Sequence, residues 1–231
     1  MATYVLLPGA ASDAWYWHRV IPLLRARGHD VLAPDLPCED DSAGFPDYAD
    51  TVVRAIGGRD RLILVAQSLA GFTAPLVCER IPVELLVLVA AMVPSPGESA
   101  GDWWSNTGQV GAYRELAERH GLSTEEFDVK AVFFHDVPPE VTREAFNRRE
   151  LDQSATPLAD PWPLTKWPDV PTEFLLCRQD RLFPAEFMRE LVKSRLGIVP
   201  DELNSGHLSA LSHPAELVER LEKYRTSHGV D

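Results

Sequence analysis

Leu62-Ile63-Leu64-Val65-Ala66-Gln67-Ser68-Leu69-Ala70-Gly71 runs an apolar strand straight into a serine flanked by small residues. A hydroxyl held in a strained strand-to-helix turn needs this pattern, because bulky side chains two positions before and after it would collide as the backbone reverses. Ala66 and Ala70 occupy those positions, where glycine is usual. Read by itself, a serine after a buried strand is equally a helix N-cap, its oxygen accepting from the orphan amides of the first turn. The choice between cap and nucleophile rests on the rest of the chain.

Outward from Ser68, short apolar runs alternate with helical segments. Tyr4 to Leu7 reads as a buried strand ended by Pro8-Gly9, and a helix is expected from Ala14 to Arg27, closed by Gly28. Asp30 to Ala33 is a second strand, Tyr48 to Ile56 a helix, Leu69 to Arg80 a helix kinked at Pro75, and Leu85 to Val89 a strand. This alternation implies βαβ units and a parallel sheet. Between Pro94 and Pro168 strand signals fade and aromatic residues cluster. Helical patterns appear there near Val110 to His120, Thr124 to Phe134 and Pro139 to Leu151, between proline-rich edges that read as hinges. The α/β pattern resumes with strand Glu173 to Cys177, helix Pro184 to Ser194, an extended piece near Ile198-Val199 and a helix from Pro214. The expected organisation is a core of residues 1–94 and 168–231 with a helical cap at 95–167.

The 231 residues suit one sizeable domain, or one domain carrying a large insertion. A hydrophobic fraction of 45% and a charged fraction of 25% are those of a globular protein. A formal net charge of −13 argues against nucleic acid and against an anionic membrane surface, both of which need clustered Lys and Arg. The expected partner is a small-molecule substrate, with a homodimer left open. Cys38, Cys78 and Cys177 are far apart and form no C-x-x-C pair, so neither a disulfide framework nor a zinc site is expected. Met1-Ala2-Thr3 leads directly into a strand with no basic n-region or cleavage signature, and the cytoplasm is the expected location.

A nucleophilic serine needs a base, and the base needs an orienting carboxylate. Leu175-Leu176-Cys177-Arg178-Gln179-Asp180 places Asp180 just beyond a strand, and Asn204-Ser205-Gly206-His207 presents an imidazole after a glycine turn. Parallel sheets gather functional groups at the carboxyl ends of their strands, so Ser68, Asp180 and His207 can converge. Each has a plainer alternative: a solvated loop carboxylate for Asp180, an ordinary loop histidine for His207. His213 competes with His207 but directly precedes Pro214 at a helix start. A developing oxyanion needs two donors; the Leu69 amide is one, and the loop Pro8-Gly9-Ala10-Ala11 offers Ala10 as the other.

Val5-Leu6-Leu7-Pro8-Gly9-Ala10, Ala14-Trp15, Ile21-Pro22-Leu23-Leu24, Gly28-His29-Asp30-Val31 and Ala33-Pro34-Asp35-Leu36 resemble the opening of α/β-hydrolases. The branch is similar to that of plant methyl-ester esterases and hydroxynitrile lyases. The resemblance implies a mostly parallel sheet of about six strands flanked by helices, with a helical cap over the site. It implies Ser68 as nucleophile, Asp180 as the acid orienting the base and His207 as the base, in the family's chain order. Pro8 stands where the family has His, Gln67 where His often precedes the serine, and Leu208 where lyase members carry Lys. Without that positive charge for a cyanide leaving group, hydrolysis is favoured over lyase chemistry.

The expectation is therefore a serine hydrolase of small apolar or aromatic carboxylic esters, with no cofactor and no metal. Gly9, Met92, Trp103, Trp104, Phe133 and Phe134 are the expected pocket residues, with packing between cap and core as their alternative. Two other readings stay open: a receptor-like binding protein on the same scaffold, and a non-hydrolytic lyase or cyclase.

Overall fold

Every residue of Leu62–Gln67 (β3) and Leu85–Val89 (β4) is buried. Strands covered on both faces carry continuous apolar runs of this kind. A computed structural model describes residues 1–124 and 126–230. It pairs these strands in parallel with Thr3–Leu7 (β1), Asp30–Leu32 (β2), Thr172–Cys177 (β5) and Asp201–Leu203 (β6), in the order β2-β1-β3-β4-β5-β6. Successive side chains of a strand point to opposite faces, which splits the core in two. Val5, Leu7, Leu64, Ala66, Leu86, Leu88, Phe174 and Leu176 face one layer. Tyr4, Leu6, Ile63, Val65, Val87, Val89, Leu175 and Cys177 face the other.

Helices Ile21–Ala26 (α1), Phe45–Ile56 (α2) and Ala74–Cys78 (α3) connect the first four strands. Between β4 and β5 the chain forms Ala100–Asn106 (α4), Gln109–His120 (α5), Val129–Phe133 (α6), Pro139–Asn147 (α7) and Thr156–Ala159 (α8). Ala185–Leu196 (α9), Ser209–Ser212 (α10) and Pro214–Ser227 (α11) complete the chain. The ends of this β4–β5 segment are joined to each other: Gly97 N–H donates to Trp162 O and Trp162 N–H to Glu98 O. The Trp162 indole then bonds the Phe72 carbonyl at 3.0 Å, tying the junction to the core.

Several element boundaries differ from the sequence expectation for identifiable reasons. The helix expected over Ala14 to Arg27 is a 3-10 turn, Ala14–Trp17, followed by α1, and the helix expected over Leu69 to Arg80 is a 3-10 turn, Ser68–Gly71, followed by α3. In both, a proline (Pro22, Pro75) sits in the first turn of a new helix, where its missing N–H costs nothing, instead of kinking a longer one. In the insertion, Asp128 caps α6 by accepting from Ala131 N–H, so the helix starts there and not at Thr124; residue 125 lies outside the described residues. The expected helix Pro139 to Leu151 stops at Asn147. α4 was not expected, although its Ser99 N-cap accepts from Asp102 N–H. The last strand lies at Asp201–Leu203, not at Ile198-Val199: Gly197 ends α9 in the left-handed region (φ 69°), and Val199 is exposed.

β1 lies between β2 and β3, so the connections leaving β1 and β3 run to opposite sides. Such a switch point opens a crevice outside the carboxyl ends of the strands. Gly9 follows β1 and Ser68 follows β3, and both sit there.

Candidate active site

Ser68 has φ 53°, a left-handed conformation that is costly for any residue with a Cβ. An N-cap serine has extended backbone. Here the N-cap position of the 3-10 turn falls on Gln67, which makes no side-chain cap bond, so the plain capping role does not describe Ser68. Backbone strain of this kind costs about 1–3 kcal/mol and persists only where packing over-determines it. Met92 N–H donates to Ser68 O at 2.9 Å from the loop after β4. A Cβ at Gly71 would run into the Met92 carbonyl, and one at Gly9 would lie 2.9 Å from Ser68 Cβ. Ala66 and Ala70 are fully buried at the turn. The strand-to-helix turn is held by close packing at Gly9 and Gly71 and by the Met92 amide on the Ser68 carbonyl.

The second half of the site is polar. Beyond β5, Asp180 Oδ1 accepts from Leu182 N–H at 2.8 Å and Phe183 N–H at 2.9 Å. Its Oδ2 lies 2.6 Å from His207 Nδ1, and both side chains are almost wholly buried. Arg178 N–H donates to Leu203 O and Gln179 N–H to Ser205 O, so the Asp180 loop and the His207 loop run side by side. The His207 ring lies 5.2 Å from Phe133 of the insertion and 5.2 Å from Phe183 of the core. Gln67, the neighbour of Ser68, donates its Nε2–H to His207 O at 3.4 Å, linking the two loops.

Burial pushes the Cys177 thiol up to about 12, and the nearby Asp180 carboxylate adds to this, so the thiol stays protonated and unreactive. Burial lowers the His135 imidazole below its ordinary value, and Arg181 acts in the same direction.

The remaining expected residues divide. Leu69 is buried and Ala10 exposed in the loops on either side of the crevice, where Pro8, Gly9, Leu36, Tyr48, Leu69 and Gln153 line a narrow groove. Phe133 meets His207 directly. Trp103 is fully buried, bonds Val93 O through its indole and packs on Phe183 at 5.3 Å, so it stands behind the site. Trp104 reaches the same Phe183 at 5.8 Å. Phe134 packs on Phe146 at 5.1 Å, on the other core layer, and the Met92 side chain is buried in the first layer. Three contacts escaped sequence reasoning: Phe183, Gln153, whose Oε1 accepts from Ala11 N–H at 3.2 Å, and Asp136, whose Oδ2 accepts from Gly206 N–H at 2.6 Å. The glycine before His207 was a signal that something approaches the backbone there. Among the described residues no His, Cys, Asp and Glu side chains cluster as a metal site, and no helix is long and apolar enough to cross a membrane.

Among known proteins, methyl jasmonate esterase 1 of Vitis vinifera is 24% identical over 267 residues, covering 97% of each chain. Norfluorocurarine synthase 1 of Strychnos is 23% identical, covering 95% of this chain and 94% of that protein. The fold superimposes on a pyrethroid hydrolase from Sphingobium faniae with a TM-score of 0.76 at 21% identity, covering 97% of each chain. A sequence model of the alpha/beta hydrolase family matches residues 4–220, which takes in the turn at Ser68 and the loops that carry Asp180 and His207. With its parallel sheet and its full-length match, the chain belongs to the alpha/beta hydrolase family.

Proposed function

We propose that the protein hydrolyses carboxylic esters through Ser68, His207 and Asp180, by way of an acyl-enzyme. The observation that carries this reading is the buried 2.6 Å contact between His207 Nδ1 and Asp180 Oδ2, at the same sheet edge as a serine held at φ 53°. With its two oxygens engaged as acceptors, Asp180 takes the Nδ1–H and leaves Nε2 of His207 free to accept a proton. Ser68 Oγ attacks the ester carbonyl as its proton passes to His207 Nε2. The negative charge that develops on the carbonyl oxygen is received by the Leu69 and Ala10 amides, each donor being worth about 10²–10³ in rate. The tetrahedral intermediate collapses, the C–O bond breaks and His207 returns the proton to the departing alcohol. Water, deprotonated by His207, then cleaves the acyl–serine ester.

Esterase names among the full-length relatives support ester substrates, and the Phe133 and Phe183 rings beside His207 favour an apolar or aromatic group over a charged one. The helices at 95–167 serve as the cap that shapes this group. A synthase among the relatives supports a second, non-hydrolytic reading. A panel of acyl and aryl 4-nitrophenyl esters, run on wild type and Ser68→Ala, separates them. Burst hydrolysis lost in S68A, with Ser68 labelled by a fluorophosphonate, is the expected result; indistinguishable rates for the two proteins overturn the esterase reading.

A further inference from the structure

The base loop is gripped from a side that the acid does not occupy. Asp136 lies in the insertion, just past α6, and its Oδ2 accepts from Gly206 N–H at 2.6 Å, one residue before His207. The fit leaves no room: a Cβ at residue 206 would lie 2.5 Å from Asp136 Oδ1 and 2.8 Å from His135 Nε2. The Asp136 side chain is only 9% exposed, and its Oδ2 also lies 3.6 Å from His213 Nδ1 beyond α10. The same insertion places Phe133 on the His207 ring, three residues before Asp136.

We infer that Asp136 is a positioning residue for His207: the insertion holds the base loop by its backbone at Gly206 while Asp180 holds the imidazole at Nδ1. The inference rests on the assignment of His207 as the base and extends it. A hydrogen bond from an amide to a carboxylate is among the stronger ones, and a buried amide left without its acceptor costs about 1–3 kcal/mol. The loop escapes that penalty by turning its Gly206 N–H elsewhere, which moves the imidazole away from Ser68. Displacement of a catalytic group by about 1 Å costs on the order of 10²-fold in rate.

Asp136→Ala, assayed with 4-nitrophenyl butyrate, is expected to lower kcat by about 10- to 100-fold with KM little changed. Asp136→Asn keeps an acceptor oxygen and is expected to recover most of kcat. A downfield proton resonance of His207 Nδ1–H is expected in the wild type, broadened in D136A and restored in D136N. If D136A does not fold, Asp136→Leu, which fills the same space without an acceptor, is read in its place. Wild-type kcat together with an unchanged resonance in D136A or D136L overturns the positioning role. Ser68→Ala and His207→Ala on the same ester separate the two levels: unchanged turnover in those variants overturns the esterase reading, while the resonance still decides whether Asp136 holds the base loop.

Discussion

The two loops that meet at the crevice are held by different physics. The Ser68 turn is locked by volume: Gly9, Ala66, Ala70, Gly71 and the Met92 backbone leave it one conformation. The His207 loop is locked by polar contacts, from Asp180 on the ring, Asp136 on the preceding amide and Gln67 on the carbonyl. Steric locking stores strain and resists small motions. Polar locking orients a ring whose hydrogen bonds would change during the proposed turnover. Substitutions of the packing residues around the first loop should therefore act through stability, and those of the polar residues around the second through rate.

The largest effect is expected at Ser68 itself. Ser68→Gly removes the hydroxyl but suits φ 53°, so ester turnover should fall by about 10⁴-fold or more while the melting temperature holds or rises. A lowered melting temperature in calorimetry would mean that the serine supports the turn as a cap. Next, Asp180→Asn keeps the shape of the acid but favours the wrong imidazole tautomer, and kcat should drop by about 10⁴-fold with folding intact. If kcat in D180N stays within a few-fold of wild type, His207 is not oriented by its 2.6 Å partner. Gly71→Ala tests the steric side: the clash is with the Met92 backbone, which cannot rotate away. A loss of about 3 kcal/mol in denaturant unfolding is expected, larger than for Asp136→Ala.

The smallest effect lies away from both loops. Burial alone would raise the Glu98 carboxyl, but Arg195, Asn106 and the Ser95 amide outweigh it and hold the group below its ordinary value. The folded state therefore releases this proton more readily than the unfolded chain. Its stabilisation is complete above about pH 5 and is lost as pH falls through the depressed folded value. Melting temperatures should be level near neutrality and fall below about pH 4, with Glu98→Gln showing a shallower fall of a few degrees. An identical acid limb in E98Q would remove Glu98 from the account.

The strands were legible because burial on both faces writes itself as unbroken apolar runs, as in Leu62 to Ala66 and Leu85 to Val89. The proposed acid and base, Asp180 and His207, stood out because each follows a strand end at a turn. The helical breaks at Pro22 and Pro75 were harder, since a proline marks either a kink or a fresh start and only the packed backbone decides. The aromatic pairs were misleading in part: Trp103 and Phe133 look alike in the sequence, yet one packs behind Phe183 and the other touches His207.

What the sequence determined by itself is local: the alternation of strand and helix, the small-residue turn around Ser68, and the placing of Asp180 and His207 just past strand ends. Periodicity, turn chemistry and proline placement act over a few residues, so they can be read without knowing what lies across the molecule. Only the tertiary structure decided what holds the loops. Gly206 and Asp136 are separated by 70 residues and Ala11 and Gln153 by 142, and neither pair carries a signal until the insertion packs against the sheet edge.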